Sequence, residues 1–109
     1  MSRPTDLVQG TLDLLILRVI ETDSQHGWAI AQRIRQMSND VLSVGQGSLY
    51  PALHKLEQQG MIRAEWGESE HNRRAKFYRL TRAGRKALER ERTQWHRLSS
   101  AISLVVKPS

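Results

Sequence analysis

Apolar side chains recur at helical spacing in four stretches of the chain and alternate with polar ones in two short runs, which predicts four helices and one hairpin. The first stretch runs from Leu7 to Ile20, with Pro4 before it and Thr5 or Asp6 placed to cap its start. Its segment Leu12-Asp13-Leu14-Leu15-Ile16-Leu17 is apolar on nearly every side, so this helix must bury more than one face. One face meets the domain core; the other needs a second partner, such as another subunit. The second stretch is Gly27 to Met37. Here Trp28, Ile30, Ala31, Ile34 and Met37 share a helical face, while Arg33, Arg35 and Gln36 point away. Ser38-Asn39-Asp40 then reads as a stop and turn.

The third stretch follows Gly45-Gln46-Gly47. Ser48 and Pro51 suit a first helical turn, where proline's missing N–H is harmless. Leu49, Leu53 and Leu56 form a narrow core stripe, and Gly60 suits the left-handed position that ends a helix. Ser48, Tyr50, His54, Lys55 and Gln58 are left on an outer face that is polar with one net charge. Water is not the only plausible partner for such a face. Next, Met61 to Trp66 and Lys76 to Leu80 alternate around a polar tip, predicting an antiparallel hairpin. Ile62, Ala64 and Trp66 are expected to share its inward face with Tyr78 and Leu80. Thr81 caps a last helix from Arg82 to about Val106, roughly 36 Å long at 1.5 Å per residue. Its apolar positions Leu88, Trp95, Leu98, Ile102 and Val105 are spaced 7, 3, 4 and 3 apart, the interval of a heptad seam. They form either a core-facing stripe or a dimer seam. The overhang of so long a helix beyond so small a core favours the seam.

Composition narrows the class. A chain of 109 residues is one domain, burying roughly 65% of its unfolded surface. There is no cysteine, which excludes a disulfide scaffold, a cysteine zinc site and a thiol nucleophile. No apolar run approaches the ~20 residues that span a bilayer, and the first residues lack a secretory apolar segment, so a cytoplasmic protein is expected. The net charge of +6 is unevenly placed. Residues 1–60 hold 5 basic and 6 acidic side chains; residues 61–109 hold 12 and 5. A half with a charge of +7 suits a polyanion, though a solvated arginine-rich surface has the same composition.

The predicted order is helix, helix, turn, helix, hairpin, long helix. That is the order of a winged helix-turn-helix, mostly α with a small β-hairpin (an α+β class), followed by a dimerisation helix. Residues 1–81 would form the DNA-binding unit and 82–109 the dimerisation helix, packed as one compact unit. Three motifs in register make a resemblance specific. Gly47-Ser48-Leu49-Tyr50-Pro51-Ala52-Leu53-His54-Lys55-Leu56-Glu57, ending in Gly60-Met61-Ile62, resembles the recognition helix of the PadR family of bacterial transcriptional regulators. His26-Gly27-Trp28-Ala29-Ile30 resembles the family's second-helix opening. Arg74 to Gly84 resembles its wing strand and the start of its last helix, with Phe77 where tyrosine is more usual. The single helix after the wing is similar to the family's smaller members. The resemblance implies a homodimer on double-stranded DNA, bound at a pseudo-palindromic operator, usually as a repressor. It also implies an interface built by the first and last helices, and in some members release of DNA by a small, often aromatic, compound.

On this basis Ser48, Tyr50, His54 and Lys55 are candidate contacts from the recognition helix, through phosphates or base edges. Tyr50 could instead pack on the second helix, and Lys55 could simply be solvated. Arg73, Arg74 and Lys76 are the candidate wing contacts, with Glu68 and Glu70 pointing elsewhere. Leu12, Leu15, Ile16, Leu88, Trp95, Leu98, Ile102 and Val105 are the candidate dimer interface. Trp95 is bulky for a tight seam; it either fills the interface or stacks on a flat effector. His26, His54, His71 and His96 form no i, i+4 pair, so no metal site is expected, and no cofactor motif appears. No nucleophile elbow or inward carboxylate pair marks an enzyme. A winged-helix adaptor that binds an acidic protein rather than DNA is the competing reading.

Overall fold

The structure, a computed structural model, describes residues 4–68 and 72–108, with side chains described from Thr11 onward. Glu70 and His71 lie outside the described residues, as do the side chains of Thr5 and Asp6. The chain runs α1 (Pro4–Val19), β1 (Gln25–His26), α2 (Gly27–Met37), α3 (Gln46–Gln58), β2 (Ile62–Glu68), β3 (Arg74–Leu80) and α4 (Arg82–Val106). The antiparallel sheet has the order β1-β3-β2. The two-residue strand β1 is absent from the sequence-based expectation, being too short to show an alternation. The other elements follow the apolar pattern, with shifted starts. α1 begins at Pro4, putting the proline inside the first turn where a missing N–H costs nothing. α3 begins at Gln46, so Pro51 falls in the second turn rather than the first and leaves the Gly47 carbonyl without its helical donor.

Local chemistry sets the boundaries. His26 caps α2, its Nδ1 accepting from the Ala29 N–H at 3.3 Å. Beyond α2, Asn39 and Asp40 take left-handed backbone, and the Asp40 carboxylate accepts from Arg35 Nε at 3.2 Å. α3 ends in a Schellman turn. The Met61 N–H donates to the Leu56 carbonyl, the Gly60 N–H donates to that of Glu57, and Gly60 sits at φ 75°. Thr81 then joins this turn to α4. Its hydroxyl lies 2.6 Å from the Gly60 carbonyl and 2.9 Å from that of Met61, and its Oγ1 accepts from the Gly84 N–H at 3.0 Å.

One core holds the winged unit together. Leu12, Ile16, Leu17 and Ile20 of the first helix region meet Ile30 and Ile34 of α2, Leu49, Leu53 and Leu56 of α3, Ile62, Tyr78, and Ala87 and Leu88 of α4. Three residues assigned from sequence to a dimer interface are therefore core residues of the single chain. Leu12, Ile16 and Leu88 are fully buried without a partner, because α2, α3 and α4 close around them. Leu15 is only half-buried. After Arg92 nothing in α4 is buried, and the molecule is elongated, 55 × 28 × 25 Å.

Candidate nucleic-acid interface

The Leu49, Leu53 and Leu56 stripe fixes α3 on the core and determines what remains outside. Ser48, Tyr50, His54, Lys55 and Gln58 are all exposed, as the spacing predicts. Tyr50 does two things at once. Its ring presses on the start of α2, so closely that a Cβ at Gly27 would stand 2.8 Å from its Cε1, yet the residue remains 44% exposed. Glycine at position 27 is thus a packing requirement of the tyrosine.

Lys55 is less available than its position on the face suggests. Its Nζ lies 2.6 Å from Asp13 Oδ2 of α1. Lys76 of β3 is also engaged, 3.6 Å from Glu57 Oε1 of α3. This ion pair docks the hairpin against the second half of the recognition helix. Both pairs are partly exposed, and such pairs contribute about 0–1 kcal/mol. They yield to a stronger anion but reduce what each lysine adds. Beneath them, burial pushes the Tyr78 hydroxyl above the usual phenol range, with the Glu57 carboxylate and then Tyr50 adding to the shift.

The wing differs from the sequence reading in one place. Ile62 is buried and Ala64 half-buried opposite Tyr78, but Trp66 is 61% exposed. It shares their face of the strand, yet it is not part of the core cluster. The Arg74 guanidinium stacks over its ring, 4.9 Å from the centroid. Arg73 is exposed next to the tip, and Glu68 pairs in register with Arg74.

Trp28 departs further from expectation. Helical periodicity puts it on the core face of α2, but it is 58% exposed. Its ring is stacked on His26 (centroids 6.1 Å apart, planes 11° apart), and His26 meets Phe77 edge-on at 5.6 Å. Of the four candidate seam residues beyond Arg92, Trp95 is 41% exposed, Leu98 and Ile102 are each 49% exposed, and Val105 is almost bare. Among the described residues no group of three His, Cys, Asp or Glu side chains is arranged to hold a metal ion, and no helix is long and apolar enough to cross a membrane.

Comparison with known proteins agrees with this architecture. The chain is 33% identical over 94 residues to a transcriptional regulator from Mycobacterium tuberculosis, covering 86% of this chain and 84% of that protein. A transcriptional regulator from Clostridium thermocellum superposes with a TM-score of 0.84 at 27% identity, covering 94% of this chain and 99% of the other. A PadR family transcriptional regulator from Eggerthella lenta gives 0.76 at 26% identity, over 96% and 89%. Residues 16–90 match the PadR-like family of transcriptional regulators, whose members are regulators rather than enzymes. With its winged helix-turn-helix fold and exposed recognition helix, the chain belongs to the PadR-like transcriptional regulator family.

Proposed function

We propose that this protein is a cytoplasmic homodimeric repressor that binds a pseudo-palindromic operator. The observation that carries the reading is the recognition helix. α3 buries one leucine stripe and presents Ser48, Tyr50 and His54 on the other side, with a cationic hairpin docked at its far end through Lys76 and Glu57. A major groove roughly 12 Å wide admits such a helix. Ser48 and Tyr50 serve phosphates near the helix start and His54 serves a base edge, while Arg73 and Arg74 reach flanking phosphates. Lys55 and Lys76 contribute less, because Asp13 and Glu57 already neutralise them.

The distal half of α4 supplies the dimer. Trp95, Leu98, Ile102 and Val105 form an uncovered apolar line at heptad spacing, and Leu15 of α1 leaves a half-buried surface of its own. In this scheme residues 82–109 pair the two 1–81 units. Trp95 is also placed to stack on a flat aromatic effector held between protomers, which would shift the population away from the DNA-binding form.

Fluorescence anisotropy tests the DNA reading, using the gene's own upstream duplex and a scrambled duplex at two salt concentrations. The expected result is a preference of roughly 1,000-fold or more for the upstream duplex, with a steep salt slope. Equal, weak binding to both would overturn it, and would favour an acidic protein as partner of the basic half. For the effector, planar aromatic compounds should quench Trp95 emission and weaken DNA binding in step.

A further inference from the structure

We infer that Trp28 is a DNA-backbone contact. Its indole packs on the sugar–phosphate strand that borders the major groove and donates its N–H to a phosphate. The inference rests on the DNA-binding reading above and extends it to a helix that precedes the recognition helix.

Three observations converge on this residue. The first is position. Trp28 follows Gly27, the residue against which Tyr50 of the recognition helix packs, and it lines one groove with Gln46 at the start of α3. The second is the groove it rims, about 360 Å³, between α2 and the start of α3. Gln32, Arg35, Ser43, Gly45 and Gln46 help to line it, and no carboxylate does. The one charged lining side chain, Arg35, is cationic but paired with Asp40 (Nε to Oδ1 3.2 Å), and the α3 N-terminus opens there with no side-chain cap from Gly45. Hydrogen-bonding groups and a helix N-terminus beside an apolar ring match a phosphate next to a sugar. The third is preorganisation. The indole stacks on His26, which is fixed by its cap bond to Ala29 and its edge contact with Phe77. The ring therefore loses little conformational freedom on binding. Its N–H makes no hydrogen bond among the described residues and is available as a donor.

Burial in the single chain does not account for a tryptophan here. The ring is more than half exposed, and the core of α2 is made by Ile30 and Ile34 without it. In helix-turn-helix proteins the helix before the recognition helix crosses the backbone, which is the geometry the groove requires.

The test compares wild type, Trp28→Phe and Trp28→Ala in anisotropy titrations on the upstream and scrambled duplexes. Circular dichroism and sedimentation confirm fold and oligomeric state. Because a backbone contact is blind to sequence, Trp28→Ala should weaken binding to both duplexes by a similar factor, about tenfold. Trp28→Phe keeps the stack on His26 but lacks the N–H, and should lose about threefold. A scan of single neutral methylphosphonates along the upstream duplex should reveal a position that weakens wild type but not Trp28→Phe. Wild-type affinity in Trp28→Ala would overturn the inference. So would a loss confined to the upstream duplex, or a dissociated oligomer, which would give the groove to a second copy. Failure of wild type to bind either duplex would instead remove the DNA reading itself.

Discussion

Two exposed faces among the described residues differ in their chemistry. The outer face of α3 carries Ser48, Tyr50, His54 and Gln58, hydrogen-bonding groups on a helix anchored by three buried leucines. The far half of α4 carries Trp95, Leu98, Ile102 and Val105 on a helix whose buried residues, Gly84, Ala87 and Leu88, lie near its start. Exposure alone does not separate them; the kind of side chain does. A rigid polar face beside cationic side chains suits an anionic, hydrogen-bonding surface. An apolar line at heptad spacing suits another protein chain, since each large apolar side chain gains about 1.5–3 kcal/mol on full burial. In the proposed assembly, DNA takes the first face and a second protomer the other.

The most severe way to break this contrast is to charge the apolar line. Leu98→Asp combined with Ile102→Asp should cost about 5 kcal/mol or more of dimer free energy, because four carboxylates, two from each protomer, would be buried unpaired. Sedimentation velocity should show monomers whose winged unit keeps its helical circular dichroism. A persistent dimer would place the interface elsewhere.

The anchored start of α4 should respond differently. A Cβ at Gly84 would collide with the Met61 carbonyl oxygen, a backbone atom with little room to move. Gly84→Ala should therefore destabilise the fold by about 3 kcal/mol and lower Tm by roughly 12–24 °C. Calorimetry showing an unchanged Tm would mean that this corner is looser than its packing indicates.

On the polar side, the two wing arginines provide the next largest effect. Arg73→Glu with Arg74→Glu should weaken both duplexes and reduce the salt slope by roughly 1.8, about 0.9 for each phosphate no longer neutralised. An unchanged slope would take the hairpin off the DNA. Lys55→Met sharpens the same point with a smaller effect. With its charge on Asp13, its removal should alter the slope by less than roughly half a unit. A full decrease of about 0.9 would show that the lysine leaves Asp13 for a phosphate.

The smallest effect concerns pH. The Tyr78 hydroxyl is held above its ordinary value of 10.0, so the unfolded chain loses this proton first as pH rises. Stability from the neutral hydroxyl is complete below that value and falls above it, towards the higher pKa of the folded state. Tyr78→Phe should flatten this alkaline decline in urea titrations; an equally steep decline would assign it to other groups.

Much of the fold was legible because its signals are local. α2 and α4 occupy the residues that periodicity and the Thr81 cap indicated, and Gly60 takes the left-handed backbone expected of it. What was not legible depends on contacts distant in sequence. Periodicity reveals which side chains share a face, not whether anything lies opposite, so Trp28 and Trp66 read as inward and are exposed. For the same reason Leu12, Ile16 and Leu88 read as an interface but are closed in by their own chain. The Lys55–Asp13 pair joins residues 42 positions apart, and no local pattern announces it. In the candidate site, the exposed positions of α3 followed from the leucine stripe, whereas the ion pairs that temper Lys55 and Lys76 required the tertiary structure.

In the proposed assembly two protomers, joined through the distal half of α4, present two recognition helices to one operator. Sedimentation velocity of the labelled upstream duplex tests it, with wild type and with the Leu98→Asp, Ile102→Asp variant. Two wild-type protomers per duplex are expected, with little or no specific complex for the variant at the same concentration. Tight, specific binding of a single protomer, unaffected by the two aspartates, would contradict it.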